Sequence, residues 1–239
     1  MFSLPTKHRG YSIDKNPFPH LVVDDVFPSQ LVEAAVADWP AWDWLHWGAV
    51  YHSVLEKKRS CNDWRFLPAS VQVLLNFLLS LDVSMFKLGQ VISDASLWGG
   101  GMHTMRRDGH LDLHEDSDQH PKTHWHRRLN AILFLNKDWN ESWNGHLELW
   151  NSSITKCVKK IAPTFNRLVM FTTDDGHFHG VPEKLACPYS EQRMSLATFW
   201  FSEPSINDHL KRPRARFVSR PTDPPDPAKE ALQKERVHF

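Results

Sequence analysis

The chain has 239 residues, 41% of them apolar, with 28 Lys and Arg against 28 Asp and Glu. That length suits one domain with a proper core, and the balanced charge gives no drive toward nucleic acid or an anionic membrane surface. Cys61, Cys157 and Cys187 are widely spaced and form no C-x-x-C, which excludes a disulfide framework and a thiolate zinc site.

The opening MFSLPTKHRGYSIDK lacks the apolar core of a signal peptide. Residues 18–27 (FPHLVVDDVF) predict a buried strand. Ser29 is placed to cap a helix through QLVEAAVADW that ends at Pro40. Trp39, Trp42, Trp44 and Trp47 follow; they suit core packing or a pocket wall. Residues 68–92 form the strongest helical stretch, with Pro68 at its start. Its most apolar part, 71–86, is interrupted by Asn76, Ser80, Asp82 and Ser84 and is too polar and short to cross a bilayer. A soluble, cytoplasmic protein with neither membrane nor nucleic acid as partner is expected.

From Met102 short alternating segments replace helices: MHTMRR, HLDLHED, RRLNAILFLN, HLELWN, CVKKIAP, NRLVMFTT, HFHGVP and MSLATFWFS. About eight strands at this spacing predict a sandwich or barrel such as a jelly roll. After Pro204 the chain turns polar and Pro-rich, which reads as an extended arm with a short helix near PAKEALQKE.

The chemistry-bearing segment is GHLDLHEDSD, 109–118. A His-x-Asp puts two ligands on one face of a strand; a distant His completes a facial triad of the kind that holds non-haem iron. Two pairs qualify, His110/Asp112 and His114/Asp116, and on a regular strand all four share a face. The polar outer face of a strand carries the same pattern by chance. Downstream, His177 and His179 lie in TTDDGHFHGVP, and Arg193 opens a strand. A guanidinium binds a carboxylate with two parallel bonds, although a surface salt bridge also accounts for an Arg there.

The ordered set L-D-L-H-E-D, R-R-L-N-A-I-L-F-L-N-K-D-W, N-G-H-L-E-L-W, P-x-x-N-R-L-V-M-F, H-G-V-P and R-M-S-L, from Gly109 to Phe201, resembles the prolyl 4-hydroxylase branch of the iron(II)/2-oxoglutarate dioxygenases. The resemblance implies an α+β, mainly β fold: a double-stranded β-helix (jelly roll) supported by N-terminal helices. It implies a single domain over 1–204, with support from 1–100 and the catalytic core over 101–204, followed by the arm 205–239. It selects His114, Asp116 and His179 as iron(II) ligands, and leaves His110, Asp112, Asp118 and His177 as neighbours. Arg193 matches the residue that anchors the far carboxylate of 2-oxoglutarate, with Ser195 and Asn130 assisting. The matching Tyr of animal oxygen-sensing members is replaced here by Phe134. Related halogenases lose the carboxylate ligand, so Asp116 implies hydroxylation. The implied activity couples 2-oxoglutarate decarboxylation to C–H hydroxylation of a prolyl residue in a peptide or protein, with molecular oxygen as co-substrate and ascorbate as reductant. The alternatives are a free amino acid or other small-molecule substrate, or a non-catalytic jelly-roll binding module.

Overall fold

The computed structural model describes residues 12–204, Arg212 and residues 214–237. In chain order the elements are β1 (His20–Val23), α1 (Ser29–Ala37), β2 (Ala49–His52), β3 (Glu56–Cys61), α2 (Ala69–Leu79), β4 (Ile92–Ser93), β5 (Gly101–Met105), β6 (His110–Glu115), β7 (His126–Phe134), β8 (Leu147–Trp150), β9 (Cys157–Ile161), β10 (Arg167–Thr172), β11 (His179–Val181), β12 (Arg193–Ser202), β13 (Arg216–Phe217) and α3 (Pro227–Val237). Strands β5 to β12 divide between two antiparallel leaves, β10-β7-β12-β5 and β6-β11-β8-β9, alternating except at the consecutive pair β8–β9. That is the double-stranded β-helix expected from the eight alternating segments. β3 pairs with both β5 and β6 and so joins the two leaves at one side.

The alternation in β7 shows why the sequence folds this way. Leu129, Ala131 and Leu133 pack outward, in one cluster with Val71, Leu74, Leu75 and Leu78 of α2. Phe134, with Ile132 against it, points inward and meets Leu147, Leu149, Val169 and Phe171 between the leaves. A strand covered on both faces reads as a near-continuous apolar run, as NAILFL does. No helix among the described residues is long and apolar enough to cross a membrane.

Several elements differ from expectation. The helix predicted over 68–92 stops at Leu79. Asp82 Oδ1 accepts from the backbone N–H of Ser84 at 2.9 Å, an Asx turn that competes with helix continuation. Lys87 is left-handed (φ 55°), and β4 then pairs with β12. Pro28, not Ser29, holds the N-cap position of α1, and no side chain bonds there. The hairpin β2–β3 was not anticipated. Trp39, Trp44 and Trp47 pack with the helices rather than walling a pocket. The C-terminal segment is not free: β13 pairs with β6, and the expected helix near PAKEALQKE, α3, packs on β13.

Candidate active site

β6 does not run regularly. Leu111 faces Val181 of β11, and His114 faces His179, so two steps on β11 match three on β6. This register shift reverses the side-chain alternation. Leu111, His114 and Asp116 therefore line the interior cavity, whereas His110 and Asp112 line a separate polar recess outside it. The expectation that all four share one face fails for this reason. Gly180 sits at the shift: a Cβ there would lie 2.8 Å from the carbonyl oxygens of Asp112 and Leu111, too close for any other residue without movement.

The shift gathers three metal-ligating groups. His114 Nε2 and His179 Nε2 each lie 3.5 Å from the Asp116 carboxylate, and the three potential ligand atoms fall within 4.8 Å of one another. Bonds of roughly 2.1 Å from one ion to each fit that spacing. His114 Nδ1–H donates to the carbonyl of Asp112 at 2.9 Å, and His179 Nδ1–H to that of His177 at 3.1 Å. Each bond fixes the tautomer and leaves the Nε2 lone pair facing inward. Burial and the neighbouring His179 lower the pKa of His114, keeping it neutral. Burial alone would raise the Asp116 carboxyl, but the Arg127 guanidinium leads the groups that outweigh it and hold it well below its ordinary value. Neutral imidazole and ionised carboxylate are the forms a metal requires.

Around the triad, Arg127 Nη1 lies 3.3 Å from Asp116 Oδ2, and Asn130 Nδ2 donates to the same oxygen at 2.6 Å. The Arg127 guanidinium rests 3.9 Å from the ring centre of Phe199. Sequence reasoning missed Arg127; the signal was its place as the first Arg of the R-R-L-N run, on a strand that lines the cavity. Phe217 of β13, which it also missed, stacks on His114 with centroids 5.2 Å apart.

Arg193 is 4% exposed. Its Nε–H donates to the carbonyl of Gly145 at 2.7 Å, and its guanidinium lies 4.9 Å from the centre of the Phe134 ring. No carboxylate among the described residues pairs with it, which removes the surface-salt-bridge reading. Burial pulls its pKa down to about 9, so it stays charged at neutral pH. Gly145 adopts φ +82°, and a Cβ there would press 3.2 Å from Arg193 Cδ. Ser195, on the same face of β12, is buried beside it and pairs across with Phe134. Phe134 thus offers the guanidinium a ring face where a Tyr would add a hydroxyl. A buried guanidinium without a protein carboxylate, in one cavity of about 430 Å³ with the triad, fits a dicarboxylate whose other end meets a metal.

The remaining expected neighbours serve as supports. His177 stacks on Phe18 at 4.4 Å and lends its carbonyl to His179. Asp112 pairs with Lys229 at 2.7 Å, and Asp118 accepts from the Arg212 backbone at 3.1 Å. Phe199 lines the cavity, while Trp200 belongs to the helix-side core.

Residues 100–202 match the family model of the 2OG-Fe(II) oxygenase superfamily. Over that segment the chain is similar to this superfamily. The segment that matches contains the triad and Arg193 together. Mouse prolyl 3-hydroxylase OGFOD1 is 33% identical over 105 residues, covering 42% of this chain and 17% of that protein. The chain thus spans only 17% of the length of that curated relative. Among solved structures, a Pseudomonas putida prolyl-4-hydroxylase aligns with TM-score 0.54 at 17% identity over 78% of this chain and 93% of its own. A Trichoplax adhaerens prolyl hydroxylase, solved with a hypoxia inducible factor peptide fragment, aligns with TM-score 0.50 at 17% identity, over 76% and 83%. Both share the fold of this chain.

Proposed function

We propose that the chain is an iron(II)- and 2-oxoglutarate-dependent hydroxylase acting on a prolyl residue in a peptide or protein. The observation that carries this reading is one cavity holding both His114, Asp116 and His179 and the unpaired, buried Arg193. When bound, iron(II) with 2-oxoglutarate and oxygen supplies oxidative decarboxylation to succinate coupled to C–H hydroxylation. The protein's own residues bind, orient and exclude water. His114, Asp116 and His179 hold the metal, with both imidazoles presented through Nε2. Arg127 and Asn130 keep the Asp116 carboxylate charged and oriented. Arg193, with Ser195 beside it, grips the far carboxylate of 2-oxoglutarate. Asn130 assists the co-substrate only through Asp116, to which its amide nitrogen donates; its buried, unpartnered amide oxygen is an acceptor and has nothing to take from a dianion.

The prolyl assignment is supported by the relatives, each of which is itself a prolyl hydroxylase. Ascorbate as reductant and a cytoplasmic setting complete the reading. The deciding experiment is a succinate-release screen of prolyl peptides and free amino acids, with mass spectrometry for the gain of one oxygen. Oxidation of a peptidyl proline supports the proposal. Oxidation of free amino acids alone moves the function to the small-molecule alternative. Failure of the iron-loaded chain to bind 2-oxoglutarate would leave the binding-module alternative.

A further inference from the structure

The cavity continues past the triad into a compartment walled by the β2–β3 hairpin and the C-terminal segment. Arg236 of α3 lies over the Phe217 ring at 4.9 Å, and Phe217 stacks on His114. This places Arg236 beside the metal-ligand wall. Glu56 of β3, its side chain 5% exposed, meets Arg236 Nη1 at 3.0 Å through Oε1 and Lys58 Nζ at 3.4 Å through Oε2. The Lys58 side chain is 14% exposed, and its ammonium also sits 4.9 Å from the Tyr51 ring centre. A 3.4 Å contact is longer than the roughly 2.7–2.9 Å of a charge-assisted bond. An ammonium carries three donors, so Lys58 faces the cavity with donor capacity unused.

The charges around the cavity do not balance. Among the described lining residues, Lys58, Arg127, Arg193 and Arg236 are cationic, and Glu56 and Asp116 are anionic. His103, on the same wall, is held neutral: burial, and then the charge of Lys58, push its pKa down to about 3. Iron(II) and the 2-oxoglutarate dianion cancel each other, so their arrival leaves the positive excess in place. Arg127 is committed to Asp116, and Arg193 faces the co-substrate. One of the two excess charges therefore resides at Lys58 and Arg236, two cations sharing one carboxylate, with side chains 14% and 28% exposed. Uncompensated charge is costly there, and an anion delivered by the substrate offsets it.

We propose that Lys58 and Arg236 form an anion subsite that selects substrates carrying a carboxylate. This rests on the hydroxylase reading and names the chemistry of its substrate. The carboxylate comes either from an Asp or Glu side chain flanking the modified residue of a peptide, or from the α-carboxylate of a free amino acid.

The test uses the full chain loaded with Co(II) and 2-oxoglutarate and titrates matched pairs: prolyl pentapeptides with Glu or Gln at either flank, and L-proline against L-prolinamide. In at least one pair the acid is expected to bind about tenfold or more tighter than its amide, consistent with one charge-assisted contact. That pair identifies the source of the carboxylate. K58M and R236M are each expected to reduce the preference to within about threefold, while R236K keeps most of it. Co(II) and 2-oxoglutarate affinities, read by visible absorption and calorimetry, stay at the parent level in all three. The proposal is overturned if acids and amides bind alike, if no acid binds, or if the preference survives in both K58M and R236M. Loss of 2-oxoglutarate binding by the parent would instead remove the hydroxylase reading.

Discussion

Four groups of the site converge on Asp116: both imidazoles, Arg127 and Asn130 all address its two oxygens. Removing it leaves two ligands and a buried guanidinium without a partner. D116A is expected to abolish Co(II) binding in a visible-absorption titration, whereas H110A and D112A should bind Co(II) at the parent affinity. The opposite pattern would place the metal on the other His-x-Asp. Arg193 makes a separable contribution. A hydrogen bond to a charged group contributes about 1.5–3 kcal/mol, so R193M should weaken 2-oxoglutarate roughly ten- to a hundredfold while Co(II) binding survives. An exposed ion pair is worth only about 0–1 kcal/mol, and an affinity within about twofold of the parent would show that the carboxylate is held elsewhere. At this scale much was legible. His114, Asp116, His179 and Arg193 each sit in a short motif with its own chemical logic. Arg127 offered only its place in the R-R-L-N run, and Phe217 and Arg236 have no signature, because what makes those two part of the site is a neighbour contributed by a remote segment.

The element that shapes the site most is β6, and its decisive property is the register shift opposite Gly180. Alternation in a sequence assumes regular pairing, so nothing in GHLDLHED announces where the alternation reverses. The glycine was visible; the reason for it, the close approach of two β6 carbonyls, was not. The strands of the jelly roll were legible because each alternates, or is apolar throughout, between turn residues. The β2–β3 hairpin was not, because VYHSVLEKKRS is polar and half-exposed and carries little contrast. The C-terminal segment reads by composition as an extended or partly disordered arm, yet its cations meet buried carboxylates. Lys229 reaches Asp112 at 2.7 Å and Asp223 at 3.0 Å. Breaking a buried pair from one side costs on the order of 3–5 kcal/mol. K229M is therefore expected to lower the urea midpoint clearly, and the double variant K229M/D112N should recover part of that loss. A K229M midpoint equal to the parent's would mean that the segment is held by packing alone.

For the molecule as a whole, stability should depend on pH through histidines kept neutral by burial. His103 has its pKa lowered from 6.5 to about 3, by burial first and then by Lys58. The unfolded chain therefore takes up a proton below about 6.5 that the folded chain refuses until about 3. Folding stability then falls as pH drops through that window, by up to about 1.4 kcal/mol per pH unit from this group. Urea unfolding of the metal-free chain at pH 7.5, 6 and 5 should show the decline, and H103Q should flatten it; an unchanged slope in H103Q would assign the effect to other groups.

The pairing of Phe217 with His114 also has a consequence in time. A polypeptide leaves the ribosome from its N-terminus, and the triad is complete once His179 has emerged. The residues that wall the cavity beside it, Phe217 and Arg236, follow only after β12 has been made. During that interval the nascent barrel offers its ligands through an unfinished wall, with the buried carboxylates Glu115, Asp112 and Glu56 still lacking their C-terminal cations. The metal ligands are thus made before the compartment beside them has its wall, and synthesis beyond β12 is what adds Phe217 and Arg236 to it.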